Sequence, residues 1–179
     1  YFVEYGGQFE SEEQATRTVT LLSIISIIAI LVVLYLEFGN FRQASLVMVN
    51  LPLALIGGIV SIFFTEGIIS IASLVGFITL FGIAVRNGIL MVSHYNYLID
   101  QEGKSLFDAV VQGSMERLSP ILMTAMTTGL ALVPLALAGD KPGSELESPM
   151  AIVILGGLIT ATFLNLVVVP ALFMKWGRR

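Results

Sequence analysis

Five long apolar runs leave this chain little choice of environment. They lie at Val19–Leu36, Ala44–Phe64, Ile68–Val92, Ile121–Ala138 and Met150–Met174, and each approaches the ~20 residues that a helix needs to cross a hydrocarbon core of about 30 Å. The runs are continuously apolar, which excludes a membrane β-barrel, whose strands alternate apolar and polar positions. Inside lipid each backbone N–H and C=O must find its partner within the segment, so a run of this kind folds as an α-helix. The expected fold is all-α: a polytopic membrane helix bundle of about five transmembrane helices plus one cytoplasmic amphipathic helix. A soluble domain is set aside, because 56% of residues are hydrophobic and only 12% charged. Pro52 marks a point at which the second run can split, since neighbouring helices can satisfy the carbonyl it frees.

The connectors divide the rest. Residues 104–118 carry Leu106, Val110, Val111 and Met115 at helical spacing with Asp108, Gln112 and Glu116 between them, which predicts a surface helix on the cytoplasmic side. Gly139–Pro149 contains Asp140, Lys141, Pro142, Gly143 and Ser144, a mixture that predicts an external turn. Residues 1–17 hold Glu4, Glu10, Glu12 and Glu13 and read as the end of an extracytoplasmic domain, with residues 18–179 forming the bundle. Arg42, Lys104, Arg117, Lys175, Arg178 and Arg179 fall on one side of the five runs and Arg17 and Lys141 on the other, so the C-terminus is expected in the cytoplasm. The chain opens at Tyr1 without the charged and apolar regions of a signal peptide and reads as an excised fragment.

Within the runs, one residue carries a charge deep in a span. Arg86 sits in Gly82-Ile83-Ala84-Val85-Arg86-Asn87-Gly88, and an arginine near the bilayer centre costs at least about 2.5–3.5 kcal/mol on insertion scales. Such residues face a bundle interior and mark ion pathways, although a guanidinium, permanently protonated, organises charge without carrying the proton. The other reading is that Arg86 snorkels to the cytoplasmic headgroups. Against it, Asn87 follows directly, and Thr79, Gly82, Arg86 and Ser93 fall on one helical face. None of the five runs contains an acidic residue, so the carboxylate that pairs with Arg86 is expected on a helix outside this chain.

Thr124, Thr127 and Thr128 follow Pro120 at helical spacing. They either line a wet crevice or bond back to their own preceding turn, the second reading being favoured for Thr127 and Thr128. Gly57, Gly58, Gly82, Gly88, Gly129, Gly156, Gly157, Thr160 and Ala161 are packing signals, and Asn165 is a candidate for a bond across helices. His94, alone beside Ser93, reads as an interfacial residue. No catalytic or metal-ligating set is identified: the sequence lacks His-Glu-x-x-His, Gly-x-Ser-x-Gly and a phosphate loop, and has no cysteine. It is read as neither an enzyme nor a nucleic-acid binder. The methionines stand singly, which suits core filling better than soft-metal transfer.

Several stretches together resemble the heavy-metal efflux branch of the resistance-nodulation-division (RND) transporters. Val3-Glu4-Tyr5-Gly6-Gly7-Gln8-Phe9-Glu10 resembles the end of that branch's second periplasmic domain. Val75-Gly76-Phe77-Ile78-Thr79-Leu80-Phe81-Gly82-Ile83, leading to Arg86-Asn87-Gly88, resembles its tenth helix, and Arg117-Leu118-Ser119-Pro120-Ile121-Leu122-Met123-Thr124 the start of its eleventh. Pro149-Met150-Ala151, Gly156-Gly157 and Val169-Pro170-Ala171-Leu172 resemble its twelfth.

The resemblance implies helices eight to twelve, the C-terminal membrane half, of a twelve-helix protein in the bacterial inner membrane. It implies a homotrimer with a periplasmic adaptor protein and an outer-membrane channel as partners, and an N-terminal half of the same chain that supplies membrane carboxylates from its fourth helix. It implies a cation/proton antiporter that exports divalent heavy-metal ions and uses the proton gradient instead of a cofactor. Arg86, Asn87 and Thr124 are then the proton-coupling residues, with Thr79, Thr127 and Thr128 a secondary polar relay. In many members the residue matching Arg86 is a lysine, so Arg86 departs from the pattern. A multidrug or lipid exporter of the same superfamily, and a non-transporting structural or sensing module, are the alternatives.

Overall fold

The computed structural model describes residues 8–65, 70–139 and 146–177, with side chains from residue 13 onward. Among these residues the chain forms α1 (Gln8–Phe38), α2 (Phe41–Met48), α3 (Asn50–Phe64), α4 (Ile71–Asp100), α5 (Leu106–Ala136) and α6 (Glu147–Trp176). The architecture is all-α, and α2 with α3 counts as one of five segments long and apolar enough to cross a membrane. Residues 1–7, the start of the third run at residues 68–69, most of the Gly139–Pro149 connector, Arg178 and Arg179 lie outside the described residues.

Local chemistry sets the breaks. Gly39 closes α1 with φ at 58°, a conformation in which a Cβ would be strained, and its N–H donates to Tyr35 O at 2.9 Å. The Asn40 side chain then caps α2 by accepting from Arg42 N at 3.0 Å. The second span does break, at Val49, one turn before Pro52. Pro52 has no N–H for the carbonyl of Met48, and its ring crowds that carbonyl, so the ladder is interrupted there.

Two helices run beyond the apolar stretches. Residues 8–17, read as the tail of an external domain, are helical and continue into the first span. The surface helix expected over 104–118 and the span expected from Ile121 are one unbroken helix, α5. One side of its amphipathic end, with Ala109, Val110 and Gly113, packs on the part of α4 that runs on to Asp100, while Phe107, Val111 and Met115 stay exposed. The Tyr95 hydroxyl and Ser114 Oγ are 2.6 Å apart, and a Cβ on Gly113 would meet Tyr95 Cδ1 at 2.7 Å. Ala109 and Val110 are buried in the same contact. Pro120 therefore lies inside a helix, which costs one backbone hydrogen bond that a membrane bundle can absorb.

Helix α6 is the hub, packing along α3, α4 and α5. Its approach to α3 requires glycine: a Cβ on Gly156 would lie 2.6 Å from Gly57 O. Beside this contact Asn50 Nδ2 donates to Asn165 Oδ1 at 2.7 Å, the bond across helices expected of Asn165. One apolar cluster gathers Val47, Leu51, Val92, Tyr95 and Phe173, and a second gathers Ala54, Phe77, Leu80, Val153 and Ala161. Replacing Gly156 by Val should lower the thermal midpoint of the full-length protein in detergent through overpacking of about 1–3 kcal/mol. Removing one partner of the amide pair, Asn165→Ala, should destabilise by roughly 0.6–1.7 kcal/mol, measured as a double-mutant cycle with Asn50→Ala.

Candidate functional site

Burial of one face of α4 decides what its other face presents. Ala84, Val85, Gly88, Met91, Val92 and Tyr95 are packed into the bundle, and Gly88 admits Val47 and Asn50 where a side chain would collide. The opposite face is left exposed and carries Thr79, Gly82, Arg86 and Ser93, the polar stripe that helical spacing predicts. Asn87 turns inward and is only 5% exposed.

Where α4 meets α5, Arg86, Asn87 and Leu90 of the first helix face Arg117, Pro120, Ile121 and Thr124 of the second around a cavity of ≈ 170 Å³. The structure thus brings Arg86, Asn87 and Thr124 together. It does not bring Thr79, Thr127 or Thr128 to this cavity. Thr79 Oγ1 donates to Val75 O at 3.0 Å and Thr127 Oγ1 to Met123 O at 2.7 Å, each bonding its own preceding turn. Thr124 Oγ1 also donates backward, to Pro120 O at 2.9 Å, which leaves its oxygen an acceptor.

Arg117 is the member that sequence reasoning missed, having been read only as a basic residue setting orientation. The signal was available: Arg117 and Thr124 are seven residues apart, two helical turns on one face. Two arginines therefore line one small cavity. His94 pairs with Glu116 and Lys104 with Glu102, and neither pair reaches Arg86 or Arg117. Glu116 lies on the spanning helix α5 itself, but both of its oxygens are engaged, Oε2 with His94 at 2.6 Å and Oε1 with Gln112 at 2.7 Å. His94, expected as an isolated interfacial residue, is thus half of a pair.

The other polar and glycine positions separate by surroundings. A Cβ on Gly82 or Gly129 would meet nothing within 4 Å, so neither is a close-approach position among the described residues, unlike Gly57, Gly156 and Gly157. Among the described residues no three of His, Cys, Asp and Glu gather as a metal site. The lining is mostly apolar, with Leu90, Pro120 and Ile121, and the residues among it that carry polar groups, two arginines, an amide and a hydroxyl, favour negative over positive charge.

The AcrB/AcrD/AcrF family model matches residues 1–177. The chain is 43% identical to Protein HelA of Legionella pneumophila over 180 residues, 100% of this chain and 17% of that protein. It is 39% identical to the nickel and cobalt resistance protein CnrA of Cupriavidus metallidurans over 171 residues, 96% of this chain and 16% of that protein. Among solved structures it is similar to the X-ray crystal structure of a heavy metal efflux pump, with a TM-score of 0.84 and 39% identity over 100% of this chain and 18% of that one. The chain thus spans about a sixth of the length of these relatives.

Proposed function

The chain belongs to the AcrB/AcrD/AcrF family, in the heavy-metal efflux branch of the RND transporters, and from that membership we propose that it forms helices eight to twelve of a proton-driven pump exporting divalent heavy-metal ions. The pump is a homotrimer in the bacterial inner membrane, works with a periplasmic adaptor and an outer-membrane channel, and draws on the proton gradient. The observation that carries the reading is the cavity shared by Arg86, Arg117, Asn87 and Thr124.

Neither guanidinium gives up its proton at physiological pH, so the groups that take and release protons are carboxylates facing the cavity from the N-terminal membrane half of the same protein. While ionised they pair with Arg86 and Arg117. When protons arrive from outside they are neutralised and the attraction is lost. Arg86 then turns to the neutral acceptors beside it, the Asn87 amide oxygen and Thr124 Oγ1. This change of partners shifts α4 against α5 and is passed to the external domain that holds the substrate. Thr79, Thr127 and Thr128 are at most a secondary polar relay, since they do not line the cavity.

Orientation rests on charge. Gln43 and Asn96 exchange hydrogen bonds of 3.2 and 2.9 Å, and Tyr95 packs on Phe173 with ring centroids 5.0 Å apart, so Arg42, Lys104, Arg117 and Lys175 share one end of the bundle. The positive-inside tendency supports a cytoplasmic place for that end and for the C-terminus. Relatives named for nickel and cobalt, and for cobalt, zinc and cadmium, stand at 39% and 38% identity, which supports these ions as the substrate class.

The test is the full-length protein in liposomes with a trapped pH dye, supplied in turn with zinc, cobalt, nickel, cadmium and copper. Metal-dependent proton flux is expected in wild type. Arg86→Ala, folded and assembled, should lose about 10²-fold or more of it, as expected when a charge-organising group leaves a proton-transfer site. Thr124→Val should slow the flux and Thr127→Val leave it near wild type. Flux driven only by lipophilic compounds would indicate a multidrug or lipid exporter. An Arg86→Ala protein that fails to fold would return the residue to packing and the chain to a structural module.

A further inference from the structure

A proton that reaches the Arg86 cavity must still leave it. Helical register shows what lies next. Along α4, Arg86, Leu90 and His94 follow at intervals of four, and along α5, Thr124, Pro120 and Glu116 do the same in the opposite direction. Leu90 and Pro120 both line the cavity, so His94 and Glu116 form the following layer, one turn or about 6 Å further along each helix. That layer lies at the end of the bundle that carries the basic residues.

We propose that the His94–Glu116 pair is the proton-release station of this cleft, taking protons from the Arg86 cavity and returning them to water at the basic end of the bundle. The proposal rests on the antiport reading above. His94 Nε2 and Glu116 Oε2 are 2.6 Å apart, and their side chains are 16% and 45% exposed, so the pair straddles the boundary between packed helices and solvent. Gln112 donates from Nε2 to the other carboxylate oxygen at 2.7 Å and accepts at Oε1 from Lys104 Nζ at 2.6 Å, which fixes Glu116 toward the histidine. Pro120 has no N–H for the carbonyl of Glu116, so the layer between cavity and pair keeps a backbone acceptor that water can use.

The transfer balances without any other reagent. Neutral His94, with Nε2–H donating to Glu116, takes a proton at Nδ1 and gives the Nε2 proton to the carboxylate. Glu116 passes it to water, and a turn of the ring restores the first tautomer. The charged and titratable groups around the pair are few. On α4 they are Tyr97, whose ring lies parallel to that of His94 with centroids 6.3 Å apart, and Asp100. The α4–α5 loop contributes Glu102 paired with Lys104, and α5 contributes Arg117 beside Glu116. At the same end, α2 brings Arg42 and α6 brings Lys175.

The experiment measures metal-driven proton flux by the full-length protein in liposomes, with the pH on the His94 side varied between about 5.5 and 8 and the pH difference across the membrane held constant. Wild-type flux should fall through an inflection as the pH on the release side is lowered, because discharge of protons from the His94–Glu116 pair is opposed there. His94→Gln keeps an amide donor for Glu116 but cannot titrate, so its flux should drop on the order of tenfold and lose this inflection. Glu116→Gln should behave alike, and the double variant no worse than either. Free imidazole should restore flux to His94→Ala.

Wild-type flux and an unchanged pH profile in His94→Gln overturn the inference while leaving the pump intact. Lost flux that imidazole does not restore assigns His94 to helix packing and overturns it too. Wild-type protein without metal-driven proton flux overturns this inference together with the antiport reading.

Discussion

A guanidinium that cannot shed its proton, carried at membrane depth on the exposed face of α4, dictates most of what surrounds it. Hydrocarbon does not accept a bare cation, and the described part of the chain offers Arg86 no carboxylate. Arg117, toward the basic end of the bundle, adds a second arginine to the lining of the same cavity. On the proposed reading the polar stripe of α4 is the seam along which the rest of the protein closes, with the negative charge that completes the site supplied from that side.

The remainder of the bundle holds this stripe in place. Close approach of α6 to α3 through Gly57 and Gly156, with the Asn50–Asn165 bond beside it, makes a rigid base on which the apolar face of α4 is laid. Gly88 lets that face sink against Val47 and Asn50. Once the apolar side is seated, a helix period of 3.6 residues leaves Arg86 only the outward direction. Tyr95, touching Ser114 on α5 and Phe173 on α6, fixes the hairpin register that sets Arg86 opposite Thr124.

Much of this was legible beforehand because it follows from solvent and period. Five apolar runs announced five spans, Pro52 marked the broken one, and the face shared by Thr79, Gly82, Arg86 and Ser93 came from spacing alone. The continuity of α5 was not legible. An amphipathic pattern such as that of residues 104–118 states that one side is apolar without saying what will cover it, and the extension of α4 past Val92 covers Ala109, Val110 and Gly113 but leaves Val111 and Met115 exposed. Arg117 and the His94–Glu116 pair were hidden for a related reason. Their significance lies in contacts between residues 22 or more positions apart, which appear only when the register of the hairpin is known. Thr127 was legible in full, its hydroxyl bonding Met123 O in its own helix.

The account stands or falls on what faces Arg86 in the complete protein. An experimental structure of the full-length protein in a lipid disc, at a pH where carboxylates are ionised, measures it directly. The account predicts a carboxylate from outside this segment within salt-bridge distance, about 4 Å, of the Arg86 guanidinium. An Arg86 side chain extended to the lipid headgroups, with no acidic residue at the α4–α5 cavity, would contradict it.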